Sequence, residues 1–311
     1  MFKFIFHRNF LLSSALVLGL LLGDNLWILP QASIYILAVV MSFASVDFSF
    51  GVFKQPLQSF KSLGVSFFLN YIVFGGSLIL LARLFFPGSE IIVGCILLAA
   101  APPGPSVVPF TSLMKGDVSR ALIGLSGLHL LAIPLAPLVL SLFTMENPIK
   151  STLILVLLLK TIVVPLIISR LLRHKLLIEK VKKIKGKVIN WGFFLIIVPI
   201  VGQSRQIMFE NQHLIWESLL LFTILMFVWP LIFNFIGFKT GVKKEIIIAD
   251  TFFLTTKSSA FAAVVVFATG QSIAGIPAAV HAFFVTLVFI AYSAIATKLK
   301  VFRSKDEMIK L

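Results

Sequence analysis

Cysteine is nearly absent from this sequence: Cys95 is the only one, and it sits in an apolar run. One thiol excludes a disulfide framework and any cysteine-built metal site within the chain. Charge is scarce as well. Only 13% of the 311 residues are charged, and 12 acidic residues stand against 27 basic ones. No His-x-x-x-His spacing occurs, acids are too sparse in the apolar runs to form a catalytic carboxylate pair, and neither His129 nor His281 has a close acidic neighbour in sequence. Neither a metal site nor enzymatic chemistry is therefore expected. Long polar stretches are missing too; the longest, residues 173–188, reads RHKLLIEKVKKIKGKV and is expected to be a loop.

Apolar surface is what the chain has in abundance. Hydrophobic residues make up 59% of it, and the mean hydropathy is +1.06. A soluble fold cannot hide that much, so a polytopic membrane protein is expected. A net charge of +15 in a soluble protein would suggest nucleic acid. Here the basic residues fall in short loops and report topology, and no nucleic acid partner is expected.

A span takes about 20 apolar residues. Ten segments qualify, at roughly 10–28, 31–47, 63–86, 90–114, 117–143, 149–172, 189–208, 214–238, 246–269 and 272–297. The start, MFKFIFHRNFLLSSALVLGLLLGD, imitates a signal peptide, but no small-x-small cleavage site follows Leu22, so it reads as a retained first span. With the N-terminus inside, only Arg83, Lys150 and Arg205 fall in outer segments, and Lys160 and Lys257 fall within spans. All other basic residues are then inside. That bias supports ten spans with both termini cytoplasmic, and a bacterial inner membrane is the simplest location.

Two spans look interrupted. The fourth contains Ala101-Pro102-Pro103-Gly104-Pro105-Ser106, and a helix cannot run straight through prolines that lack the amide donor and clash with the preceding turn. The ninth contains Thr255-Thr256-Lys257-Ser258-Ser259, polar at mid-depth. Aligning Gly116 with Gly270 places Pro103 on Lys257 and Gly104 on Ser258. The chain then divides into two five-helix repeats, 1–145 and 146–311, and an odd number of spans forces the second to insert upside down. Broken helices at matching places in inverted repeats point to a binding site at the midplane of a transporter.

Lys257 stands out because a lysine at the bilayer centre costs about 2.5–3.5 kcal/mol on insertion scales. Snorkelling to an interface is the ordinary alternative, and four flanking hydroxyls at mid-span argue against it. Those hydroxyls (Thr255, Thr256, Ser258, Ser259) read equally as ligands or as partners for carbonyls freed by the break. Asp250 lies two helical turns before Lys257, as a counter-ion or as a water-facing residue near a helix start. Lys160 is a second buried-looking amine, with snorkelling as its alternative. Asn70 is polar at depth, a site residue or an interhelical hydrogen bonder. His129 and His281 read first as packed, hydrogen-bonded histidines. Asp250, His129 and Lys160 are the candidate proton-relay groups. The basic 170–187 stretch suits anionic lipid heads, although orientation alone explains it.

Residues 94–121, GCILLAAAPPGPSVVPFTSLMKGDVSRA, resemble the bile acid:sodium symporter family, whose fourth span carries a Cys-Pro-Gly-Gly-x-x-Ser-Asn stretch before a Lys-Gly-Asp-like turn. Pro102, Gly104 and Lys115-Gly116-Asp117 stand at the corresponding spacing. MSFASVDF at 41–48, Val163-Val164-Pro165-Leu166, Glu90 and Gly94 also match in phase, and Asn70 falls on a family glutamine. The resemblance implies an all-α membrane protein of ten helices. Broken helices 4 and 9 cross at the midplane, six helices form a core and four form a panel. It also implies alternating access with sodium-coupled uptake of organic anions.

At the sodium ligands this sequence departs from the family. The family's Ser-Asn pair falls on Val107 and Val108, its fifth-span hydroxyls on Ala121 and Leu125, its ninth-span Glu on Phe253 and its ninth-span Gln on Lys257. Sodium needs oxygen ligands, which aliphatic side chains lack. The expectation is a carrier of a small organic anion, not coupled to sodium, with Lys257 as surrogate cation and a proton as the alternative coupling ion. The binding residues would be Lys257, Thr255, Thr256, Ser258, Ser259, Asn70, Ser106, Gly104, Pro102 and Pro103. No cofactor is expected. Membrane lipid is the other partner, and the sequence carries no signal of oligomeric state. A sodium-coupled symporter using backbone ligands, and a passive channel, are the competing readings. A retinal-binding receptor would have seven spans. An arsenite carrier's reactive cysteine would lie nearer the break than Cys95 does.

Overall fold

A computed structural model describes residues 8–22, 28–47, 56–143, 151–210, 212–269 and 272–298. Both termini, Lys54, Lys150, Gly270 and the repeat boundary at 145/146 lie outside the described residues. Those that are described are almost entirely helical. In lipid every backbone N–H and C=O must find a partner inside its own segment, and helices do this.

The helices are α1 (Arg8–Leu22), α2 (Ile28–Ala44, followed by a 3₁₀ turn Ser45–Asp47) and α3 (56–85). Then come α4 (Ile91–Ala100), α5 (Val107–Leu113), α6 (Val118–Phe143) and α7 (151–172). The second half holds α8 (Ile178–Glu210), α9 (Gln212–Lys239), α10 (Lys244–Thr255), α11 (Ser259–Thr269) and α12 (Ile276–Lys298). Among the described residues, five stretches are long and apolar enough to cross a membrane: Ser59–Phe85, Val118–Phe143, Leu155–Leu172, Gln212–Lys239 and Lys244–Val266. Leu80, Leu84, Ile167 and Leu231 are exposed on these stretches, as side chains facing lipid would be. This is an integral membrane protein.

Prolines shape several helices. In α7 and α9 the backbone widens into π-helical segments, Leu159–Val163 and Ile224–Val228, just ahead of Pro165 and Pro230. A wider turn accommodates a ring that offers no N–H. A third π segment, Phe68–Gly76 in α3, contains buried Asn70 and Tyr71. Such segments recur at functional sites.

Helices α1, α2 and α7 gather with α8, α2 packing on both α7 and α8. The remaining helices pack around α4: α3, α6 and α12 lie directly against it, and α10 lies against α3, α5 and α6. The turn joining α5 to α6 is tight, with Lys115 at φ 58°. Asp117 then caps α6 by accepting from the Arg120 amide at 2.9 Å.

Two expectations fail here. The stretch 173–188 is not a loop throughout, because α8 begins at Ile178 and runs unbroken for 33 residues. Lysine, glutamate and isoleucine sustain a helix readily, and nothing in 178–188 stops it. Lys160 is not buried; it is exposed on α7. Its apolar neighbours in sequence surround the helix, but the face it occupies points outward.

Candidate functional site

The site begins with hydrogen bonds that proline forbids. In a continuous helix the carbonyl of Ala99 would accept from residue 103 and that of Ala101 from residue 105. Both positions are prolines, so both oxygens are orphaned. Helix α4 ends at Ala100, and Ala101 turns extended at φ −61°, ψ 146°, as a residue before proline does.

The second interruption supplies the missing donor. Helix α10 ends at Thr255, Thr256 is extended, and α11 starts at Ser259. The Ser258 amide donates to the Pro102 carbonyl at 2.8 Å, tying the two non-helical stretches together. Lys257 then reaches α4. Its Nζ donates to the Ala99 carbonyl at 2.7 Å and to the Ala101 carbonyl at 2.9 Å. The same nitrogen lies 3.8 Å from the ring centroid of Tyr71. An ammonium has three N–H groups; two carbonyls and one π face use all three. Lys257 is 2% exposed, and it sits on the negative end of the α4 dipole.

The carbonyls at the end of α10 are covered in the same manner. Asn70 Nδ2 donates to the Phe253 carbonyl at 2.7 Å and to the Thr256 carbonyl at 3.2 Å. Both partners only accept, which fixes the amide orientation. His281 Nε2 lies 3.3 Å from the Thr255 carbonyl, and its Nδ1 lies 2.7 Å from Ser259 Oγ. A carbonyl cannot donate, so Nε2 carries the proton and Nδ1 accepts from the serine.

Three of the four hydroxyls flanking Lys257 make hydrogen bonds at the break. Thr255 Oγ1 donates back to the Thr251 carbonyl at 3.1 Å, Ser258 Oγ accepts from the Phe261 amide as the cap of α11, and Ser259 meets His281. Thr256 is buried beside them. Gly104 lets the two breaks approach closely: a Cβ there would lie 3.1 Å from both the Lys257 carbonyl and Thr256 Cγ2, and one of them would have to give way. Buried Ser106 shares with Gly104, Lys257, Ser258 and Ser259 a small cavity of about 40 Å³.

Other expected residues lie elsewhere. Asp250 is not the counter-ion of Lys257 and does not face water. It is buried and accepts from Arg120 Nε at 2.6 Å and Nη2 at 2.8 Å. The Asp117 amide donates to the Glu245 carbonyl at 2.8 Å, so α6 and α10 are joined at their first turns as well. His129 Nδ1 lies 2.7 Å from the Leu125 carbonyl, and the residue helps wall a larger cavity of about 540 Å³. That cavity reaches from Ser106 to Lys182, Lys185 and Asn190 on α8, with Met41 and Leu166 on its other walls. Pro102 and Pro103 form the break itself. Lys160 faces outward on α7.

Where the resemblance places the family's first sodium ligands, the side chains themselves are apolar. Val107, Ala121 and Phe253 are buried. The ring of Phe253 lies where Gly124 leaves room for it, since a Cβ on that glycine would collide with the ring and with Ser66 Oγ. Two partners escaped sequence reasoning: Tyr71 comes from a helix distant in sequence, and Arg120 read only as a loop charge. His281 is the packed, hydrogen-bonded histidine expected, on partners the sequence did not name.

The profile of the Sodium Bile acid symporter family matches residues 34–211, which includes Asn70 and the α4–α5 interruption. No curated protein sequence matches the chain. With more than half of its length matched, the chain belongs to the Sodium Bile acid symporter family, a family of transporters and not of enzymes.

Proposed function

We propose that this member of the Sodium Bile acid symporter family is a secondary transporter that moves an organic anion by alternating access without sodium. The observation that carries the reading is the position of Lys257 Nζ, 2.7 and 2.9 Å from two carbonyls that prolines leave unpaired. A cation between the ends of broken helices offsets carbonyl dipoles and the charge of an anion. Here a covalently held ammonium fills that role, while Asn70 and His281, both neutral, only pair the freed carbonyls of α10. The proton on Nζ is the candidate coupling ion.

In this reading α4–α5 and α10–α11 are the equivalent interrupted spans of inverted five-helix repeats, residues 1–145 and 146–311, and cross at the midplane. Helices α1, α2, α7 and α8 form the panel, and the rest form the core. The cavity of about 540 Å³ holds residues from α2, α7 and α8 on one side and from α5 and α6 on the other. It is the natural place for a substrate with an apolar body, and Lys182 and Lys185 favour an anion there. Both termini are cytoplasmic, in a bacterial inner membrane.

A second reading, sodium symport through backbone ligands, is favoured by the description of the family itself. One experiment separates the two. A thermal-shift screen of organic anions on wild type and Lys257→Ala identifies an anion whose effect needs the lysine. Uptake of that anion is then measured in proteoliposomes in sodium and in choline. Equal, saturable uptake in both is expected. Strict sodium dependence overturns the proposal, and a unitary conductance would make the protein a channel.

A further inference from the structure

Helix α8 is longer than a bilayer requires. Its 33 residues exceed what the hydrocarbon core takes up, about 20 residues, by roughly three turns. The excess at its N-terminus carries Lys180, Lys182, Lys183, Lys185 and Lys187 against one acid, Glu179. Orientation in the membrane explains an excess of lysine in such a segment. It does not explain how the lysines and their neighbours are sorted around the helix.

One side of these turns, with Lys182, Lys185, Gly186 and Ile189, walls the large cavity. The opposite side carries Lys180, Lys183, Ile184, Lys187 and Trp191, spaced i, i+3, i+4, i+7 and i+11, which places them on one stripe. The three lysines are exposed. Ile184 is 46% exposed and Trp191 37% exposed, and the turn leading into the helix presents Leu176 at 80%. Along the stripe Ile184 stands between Lys183 and Lys187, and Trp191 follows one turn after the last lysine. Lysines interleaved with exposed apolar side chains and ending on a tryptophan are what a helix at a membrane surface presents. Trp191 is held against Phe194, ring centroids 5.3 Å apart.

We propose that this outward stripe of α8 is a docking surface for anionic phospholipid headgroups, with Trp191 seated at the acyl boundary and Ile184 packed between the lysines. The charge complementarity is with a lipid phosphate. The exposed apolar side chains interleaved with the lysines fit a headgroup that carries chains and have no use for a free anion. The stripe backs directly onto the cavity wall, so a bound lipid braces the turns that present Lys182 and Lys185.

The test uses the full chain in nanodiscs, with Trp191 retained as the sole tryptophan. Its quenching by brominated phosphatidylglycerol is compared with quenching by brominated phosphatidylcholine at equal mole fraction. Phosphatidylglycerol is expected to quench selectively. The triple variant Lys180→Gln, Lys183→Gln, Lys187→Gln is expected to lose that preference at least about tenfold, since a surface lysine is worth about fivefold in binding to anionic lipid. A control of equal charge, Lys239→Gln, Lys243→Gln, Lys244→Gln, is expected to keep it. Three results overturn the proposal: no preference in the starting protein, equal loss in both variants, or displacement of the lipid by inorganic phosphate at matched ionic strength. None of these readouts involves transport, so the docking surface can fail while the carrier reading stands, and the reverse.

Discussion

Replacing Lys257 with methionine keeps an unbranched apolar stem, one atom shorter, and removes the charge and all three donors. The Ala99 and Ala101 carbonyls, now 2.7 and 2.9 Å from Nζ, lose their partner. Each buried acceptor left unpaired costs about 1–3 kcal/mol, so the pair costs about 2–6. The lost contact with Tyr71 adds about 2 kcal/mol, the value for a desolvated cation over a ring. Against this, the variant no longer buries an ammonium, a relief of about 3 kcal/mol on insertion scales. Lys257→Met should therefore be destabilised by about 1–5 kcal/mol, the span set by those terms. Tryptophan fluorescence during thermal unfolding in detergent measures it. The sharper readout is sodium. Two bare carbonyls at a helix C-terminus are hard ligands in a negative potential. Sodium should stabilise the variant by up to about 2.7 kcal/mol at a hundredfold excess over its dissociation constant, and choline should not. Wild type should respond to neither. If sodium stabilises wild type as well as the variant, or if Lys257→Met is as stable and as active as wild type, the ammonium is not standing in for an ion.

The Arg120–Asp250 pair is doubly hydrogen-bonded, with Asp250 buried and Arg120 partly buried, so Asp250→Ala should cost up to about 3 kcal/mol by leaving the guanidinium without its partner. Arg120→Met with Asp250→Leu should recover most of that in a double-mutant cycle; a coupling under about 0.5 kcal/mol would mean the pair joins nothing. His281→Phe removes the partner of the Thr255 carbonyl and Ser259 Oγ and should cost about 2–6 kcal/mol for the two groups. His281→Gln, which keeps a donor and an acceptor, should regain part of it, and equal loss in both variants would make the ring's packing the relevant property.

The legible parts of this molecule share a cause that is local in sequence. Proline lacks an N–H wherever it stands, so the end of α4 could be read from Pro102, Pro103 and Pro105 alone. A lysine amid apolar residues is anomalous before any fold is known, and this brought Lys257 forward. The illegible parts depend on approach between distant segments. Nothing around Tyr71 distinguishes a ring that faces an ammonium from one that faces lipid. Asp250 was weighed against Lys257 because they share a helix, while its partner, Arg120, arrives from α6. Lys160 misled for a related reason, since hydropathy averages all sides of a helix and burial belongs to one side. The expected loop at 173–188 failed because charge density was read as irregular backbone, although lysine-rich sequence propagates a helix well.

The donors where the two interruptions meet constrain what the protein can do with energy. A diffusible ion enters a site from one side and leaves to the other, and the gradient it descends drives the substrate. Lys257, Asn70 and His281 are covalently held, so they pair the freed carbonyls, and Lys257 adds the charge, without supplying an ion's gradient. Under the proposed reading, concentrative uptake then has two sources left: the proton on Lys257 Nζ, or a second anion moving in the opposite direction. The geometry makes the first demanding. Releasing that proton leaves a neutral amine with two N–H groups for two carbonyls and a lone pair turned toward the Tyr71 ring, whose face repels it. A deprotonated Lys257 therefore has reason to leave this position, and protonation has reason to restore it. Proton exchange and movement of the α10–α11 break would be one event, which is the coupling a proton-driven carrier needs.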